Sequence, residues 1–104
     1  PDVKFCGGPT EVINLEKSIQ DPSQKISMHC PSGPISLLTS AHITSSISSK
    51  LPLEHAVKEV PWRHEVLLPN EKIINGEMHL PKENGIGATL NPEIIHNKGK
   101  IWQE

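Results

Sequence analysis

The sequence predicts an α/β fold, with strands and helices alternating β-α-β-α-β over the first half and a β-hairpin near the end. Three observations lead there. Short strand-like runs stop at Gly or Pro; stretches of about 10–15 residues with apolar positions at helical spacing separate them; and an Asn-Gly pair sits between two apolar runs in the last third. A chain of 104 residues that is 35% hydrophobic and 21% charged fits one small domain.

The elements follow in order. Residues 1–6 read as a short strand ended by Gly7-Gly8-Pro9, and Thr10 to Gln20 carry Val12, Leu15 and Ile19 at helical spacing. Asp21-Pro22-Ser23 breaks that helix. Lys25 to Met28 form a second strand, ending at His29-Cys30-Pro31. Gly33-Pro34 opens a second helix, Ile35 to Ser49, with Leu38, Ala41 and Ser45 on one stripe, because Pro is suited to a first helical turn. Its Ser/Thr-rich run, Thr39 to Ser49, reads as a helix face packed closely on a sheet. Leu51-Pro52-Leu53 leads into Glu54 as a third strand. Strands joined through helices are parallel, because each helix must cross back over the sheet.

The remainder is irregular. Lys72-Ile73-Ile74 and Glu77 to Leu80 flank Asn75-Gly76, a pair that accepts the positive φ of a type I′ turn. Asn84-Gly85-Ile86-Gly87 is a tight loop, Asn91-Pro92-Glu93 starts a short helix through Ile95, and the tail is polar apart from Ile101 and Trp102.

Composition excludes several functions. A formal net charge of -2 with interspersed signs leaves no basic field to gather phosphates, so nucleic acid is not an expected partner. No run approaches the ~18 apolar residues of a membrane span, and no secretory signal precedes the first element, which points to a cytoplasmic protein without a membrane partner. Cys6 and Cys30 are expected as free thiols, since one bridge is no framework. Aromatic residues make up only 3%, which predicts a thin core. The first residue is Pro and the first readable element is already a strand, so the expectation is the C-terminal piece of a longer protein.

Asp2, His29 and Glu54 end the three strands, each one strand-plus-helix unit after the last. In a parallel sheet the carboxyl ends share one rim, where α/β proteins place ligands. A carboxylate beside an imidazole fixes its tautomer and stabilises its proton, making a proton shuttle. Glu54 could assist at a developing oxyanion if protonated and repel it if ionised. Helix capping or simple contact with water is the alternative for all three.

Trp62-Arg63 could clamp a substrate carboxylate or a neighbouring subunit, or anchor a loop. His55 alternates to the face opposite Glu54 and reads as structural. His42 lies within a helix, and His64, His79 and His96 are scattered with no zinc-motif spacing, so no metal ligands are expected here. A Cys30 nucleophile served by His29 is awkward, because adjacent strand residues face opposite sides. Lys98-Gly99-Lys100 reads as solvated tail.

Pro1 to Glu11, His29-Cys30-Pro31-Ser32-Gly33-Pro34-Ile35 and Leu53-Glu54 together resemble the end of an enolase-superfamily barrel of the mandelate racemase/muconate lactonizing group. In that group the sixth, seventh and eighth strands carry an Asp, a His and a Glu, matching Asp2, His29 and Glu54 in order. The His-Cys-Pro-x-Gly-Pro-Ile run is similar to acid-sugar dehydratases of the galactonate dehydratase type. The Asn-Gly hairpin, Leu80-Pro81 and Gly85 to Leu90 resemble the segment that returns to the N-terminal capping domain. Two departures are Asn84, where the group usually has Pro, and Pro52 within the eighth strand.

The resemblance implies the last β-α-β-α-β of a (β/α)7β TIM-type barrel over residues 1–56 and a returning segment over 57–104 with hairpin 72–80, as one structural unit. It implies abstraction of the proton α to a carboxylate with Mg²⁺ holding the enediolate, then loss of the β-hydroxyl. His29 would be acid or base, Asp2 its orienting partner and Glu54 a hydrogen-bond partner of the substrate carboxylate. The Mg²⁺ ligands lie on earlier strands, outside this chain. An acid sugar is then the substrate, and the missing capping domain and barrel half are partners. Open strand edges make a homo-oligomer plausible as well. A racemase or epimerase using the same dyad, and a non-catalytic α/β interaction module, are the alternative readings.

Overall fold

A computed structural model describes residues 1–100; Ile101 and Trp102 lie outside the described residues. Three extended segments lie side by side, with residues 26–30 in the middle. The His29 amide donates to Pro1 O (2.9 Å) on one side. On the other, the Ile26 amide donates to Ser49 O (2.7 Å) and the Leu51 amide to Ile26 O (2.8 Å), a parallel bridge between Ile26 and Lys50. Burial alternates through Ile26, Met28 and Cys30, with Ser27 and His29 exposed between them, which is strand periodicity. The expected parallel pairing is present at Ile26 and Lys50 as one isolated bridge, while toward residue 1 there is a single hydrogen bond; neither side forms a ladder.

The first predicted strand is corrected. Residues 3–7 are a turn. The Phe5 and Cys6 amides both donate to Asp2 O, and the Lys4 amide donates to Asp2 Oδ1 (2.9 Å). A side-chain acceptor two residues back offers the backbone a local partner and ends pairing. Residues 51–54 do not form a strand either.

Helix α1 (Pro9–Ser18) and helix α2 (Pro34–Ser46) fill the two crossovers, each starting at a proline after a glycine. In α1, Glu11 in the first turn and Lys17 in the last match the helix dipole. Helix α2 stops three residues before the expected Ser49, because Glu16 of α1 takes the Ser48 and Ser49 amides on its Oε1. Its buried residues are Leu37, Leu38, Ser40, Ala41 and Ile43, while Ser45 of the expected stripe is exposed. The helix is covered from more than one side. Val3, Val12, Ile26, Met28, Ile43 and Ile47 form the main core, with Cys6, Ile19 and Leu53 packed against it.

After Glu54 the chain runs through a 3-10 turn at Arg63–Glu65 and four two-residue strands: β1 (Leu67–Leu68), β2 (Ile73–Ile74), β3 (Glu77–Met78) and β4 (Thr89–Leu90). The β2–β3 hairpin turns on Asn75 (φ 52°) and Gly76 (φ 79°), as the Asn-Gly pair predicts. Antiparallel β1–β4 pairing was not expected from the sequence; it is reinforced by the Asn91 amide on Val66 O (2.8 Å). Helix α3 (Pro92–Lys98) runs three residues beyond the expected Ile95, capped by Asn91, whose side chain accepts from the Glu93 amide. Among the described residues, no helix is long and apolar enough to cross a membrane, and Cys6 and Cys30 are free.

Candidate active site

Neighbouring extended segments present Asp2, His29 and Glu54. Asp2 and His29 meet directly: His29 Nδ1 lies 3.1 Å from Asp2 Oδ2. Glu54 reaches the residue next along, its Oε2 accepting from the Cys30 amide at 2.8 Å. The central segment therefore carries the imidazole on one face and binds a carboxylate through its backbone one residue later.

The two partners of the dyad differ in exposure. The Asp2 side chain is only 7% exposed, whereas that of His29 is 59% exposed. Burial opposes the Asp2 charge, but the Lys4 amide, the His29 ring and the Lys4 ammonium 3.4 Å away together outweigh it, holding the carboxyl below its ordinary 3.8. An ionised Asp2 accepts the Nδ1 proton and fixes the ring's tautomer, leaving Nε2 toward solvent with no protein partner among the described residues. A proton-transfer group held from behind and open in front can act on a small molecule.

Lys4 and Ser32 complete the surroundings and carried no sequence signal beyond proximity to Asp2 and His29. The Lys4 ammonium donates to Ser32 Oγ as well as pairing with Asp2. A cleft of about 640 Å³ opens beside them, lined by Val3, Lys4, Pro31, Ser32, Ile35 and Thr39 among others.

The other candidates lie apart from the dyad. Arg63 is buried: its guanidinium donates to Ser32 O (2.8 Å) and pairs with Glu59, while Nε faces Glu71 at 3.9 Å. Trp62 is half-buried beside it. His55 does not face Glu54's partner but meets Glu71 Oε1 (3.3 Å), and His42 Nε2 bonds Ile86 O (2.9 Å).

A divalent magnesium ion needs several free oxygen ligands in octahedral array. Asp2 is occupied by Lys4 and His29, Glu54 is bonded to Cys30, and no group of three or more His, Cys, Asp or Glu side chains is arranged for a metal among the described residues. The residues present do not fit that ion.

A family model described as enolase C-terminal domain-like matches residues 1–94. The D-xylonate dehydratase of Haloferax volcanii is 27% identical over 95 residues, covering 91% of this chain and 23% of that enzyme. The L-rhamnonate dehydratase of Saccharopolyspora erythraea is also 27% identical over 95 residues, covering 90% of this chain and 24% of its own. The chain thus spans about a quarter of the length of these curated relatives. Among solved structures, an enolase of the mandelate racemase subgroup from Agrobacterium tumefaciens superposes with a TM-score of 0.73 at 23% identity, over 88% of this chain and 24% of that one. A second structure with the same description, also containing sodium and phosphate, gives 0.75. At that identity the likeness speaks for the fold.

Proposed function

Because the chain belongs to the enolase C-terminal domain-like family, we propose that it supplies the proton-transfer end of an acid-sugar dehydratase. The observation that carries this reading is the Asp2–His29 contact at 3.1 Å with the outer ring nitrogen open to solvent. Two relatives named as sugar-acid dehydratases support it.

In this reading His29 acts as general acid. A base outside these residues takes the α-proton; the Nε2 proton of His29 passes to the β-hydroxyl as the carbon–oxygen bond breaks and water leaves, and the electron pair left at the α-carbon forms the new double bond. The resulting enol becomes a 2-keto-3-deoxy acid. Asp2 orients the ring and stabilises its charged form. Glu54 stands at the carboxylate end of the substrate, where it donates a hydrogen bond only when protonated.

Residues 1–56 form the end of the barrel and 57–104 the returning segment. The ligands that would hold Mg²⁺ lie outside these residues. The 104 residues alone are expected to turn over nothing, and assembly with the rest of the enzyme, or between copies, completes the site.

The test is a screen of sugar acids with the natural polypeptide in which these residues occur, supplied with Mg²⁺. A keto acid that forms with the unaltered protein and is lost in His29→Asn supports the assignment. No keto acid, with no deuterium entering the α-carbon in D₂O, would sink it. An inverted α-carbon without loss of water would make the protein a racemase or epimerase instead.

A further inference from the structure

We infer that Arg63 and Glu71 form a positioning bridge that sets the spacing between His29 and Glu54; the inference rests on the roles given above to those two residues. The bridge lies in the segment after Glu54, and its ends reach both sides of the site. Arg63 Nη2 donates to Ser32 O at 2.8 Å, three residues beyond His29. Glu71 Oε1 lies 3.3 Å from His55 Nε2, one residue beyond Glu54. The two halves face each other through Arg63 Nε and Glu71 Oε2 at 3.9 Å, both buried and neither with a hydrogen-bond partner among the described residues. Glu59 holds the other arm of the guanidinium.

Burial makes this arrangement consequential. The Arg63 side chain is 10% exposed and that of Glu71 7%. Charges taken out of water seldom add net stability over apolar residues of similar size, but removing one partner leaves the other uncompensated. A rigid, multiply bonded guanidinium fixes geometry better than a flexible ammonium. The segment from His29 to Ser32 is thereby held at successive points: His29 by Pro1 and Asp2, Cys30 by Glu54, and Ser32 by Arg63 and Lys4. Arg63 has its donors turned into the protein, so it acts through Ser32 and not on the substrate.

Arg63→Ala, Arg63→Lys and Glu71→Gln test the bridge in the natural polypeptide. Three readouts are needed: urea unfolding, the nitrogen shifts of the His29 ring, and kcat and KM on whichever sugar acid is turned over. Arg63→Ala and Glu71→Gln are expected to lower kcat about 10–100-fold with little change in KM, and to move the His29 ring shifts, as misplacement of a catalytic group does. Arg63→Lys is expected to fall between them and the unaltered protein. A folded Arg63→Ala or Glu71→Gln protein with unchanged ring shifts overturns the bridge, whether or not any sugar acid is a substrate. Should Arg63→Ala fail to fold, the near-isosteric Glu71→Gln decides alone. Absence of turnover in the unaltered protein tells against the dehydratase reading and leaves the ring shifts to judge the bridge.

Discussion

Asp2 does two things at once, closing the turn at residues 3–7 through Oδ1 and holding His29 through Oδ2. Its carboxyl sits below the ordinary 3.8 in the folded chain, so folding favours the charged form. The stability this confers is fully present above the ordinary value and is lost as pH falls through the lower folded one. Urea midpoints measured between about pH 2 and 6 should therefore drop more steeply for the unaltered chain than for Asp2→Asn, and parallel profiles would remove the effect. Ser40 is the opposite kind of residue. It is fully buried, with a hydroxyl that meets no partner among the described residues. Ser40→Ala deletes an unsatisfied group at little cost in volume, so it is expected to raise stability by up to about 1 kcal/mol, and a clear loss in the urea midpoint would mean the hydroxyl is bonded after all. The contact between Asp2 and His29 was legible because the two were expected one strand-plus-helix unit apart on neighbouring segments. The Arg63–Glu71 pair was not, because it lies in irregular chain, where no helical or strand period brings the two together.

Turn chemistry governs the elements of the second half. Gly87 has φ +76°, and a Cβ there would lie 2.8 Å from Pro81 Cγ and 3.0 Å from Pro81 O. Gly87→Ala combines a left-handed backbone with a clash against a rigid ring, so it is expected to cost about 1–3 kcal/mol in denaturant unfolding. Gly85→Ala shares the positive φ (+69°) but has open space, and should cost less; equal costs would show that the contact with Pro81 does not matter. These turns were readable because Asn-Gly and Gly-x-Gly act locally. Helix starts were readable for the same reason, through Pro34 after Gly33 and Pro92 after Asn91. The end of α2 was not, since it is set by Glu16 on another helix, and the β1–β4 pair was missed because two-residue strands so far apart carry no turn between them. The strand expected at residues 1–6 failed for a local reason overlooked in the pattern: an Asp two residues before an amide competes with the sheet for it.

Over the whole molecule, the α/β order was legible because each crossover needs a helix between parallel segments, and that alternation is written in hydrophobic spacing. The thin core was legible too. No aromatic side chain belongs to it among the described residues, and the single Phe, Phe5, is 81% exposed. The Cα radius of gyration is 15.0 Å, against about 13 Å for a compact domain of ~100 residues, so much apolar surface stays open. Such a chain has little reserve, because net stability is roughly 0.05–0.15 kcal/mol per residue even in ordinary domains. Met28 lies at the middle of the central segment and is 1% exposed, touching the core that joins both helices to the sheet. Met28→Ala removes that contact at an expected cost of about 2–5 kcal/mol, which is comparable with everything the fold has to spare. The variant should lose its cooperative thermal transition by circular dichroism, while Leu15→Ala, at 44% exposure on α1, should melt within a few degrees of the unaltered chain. Similar melting of all three would mean that the central segment does not hold the helices together, and the placement of His29 on it would then need another support.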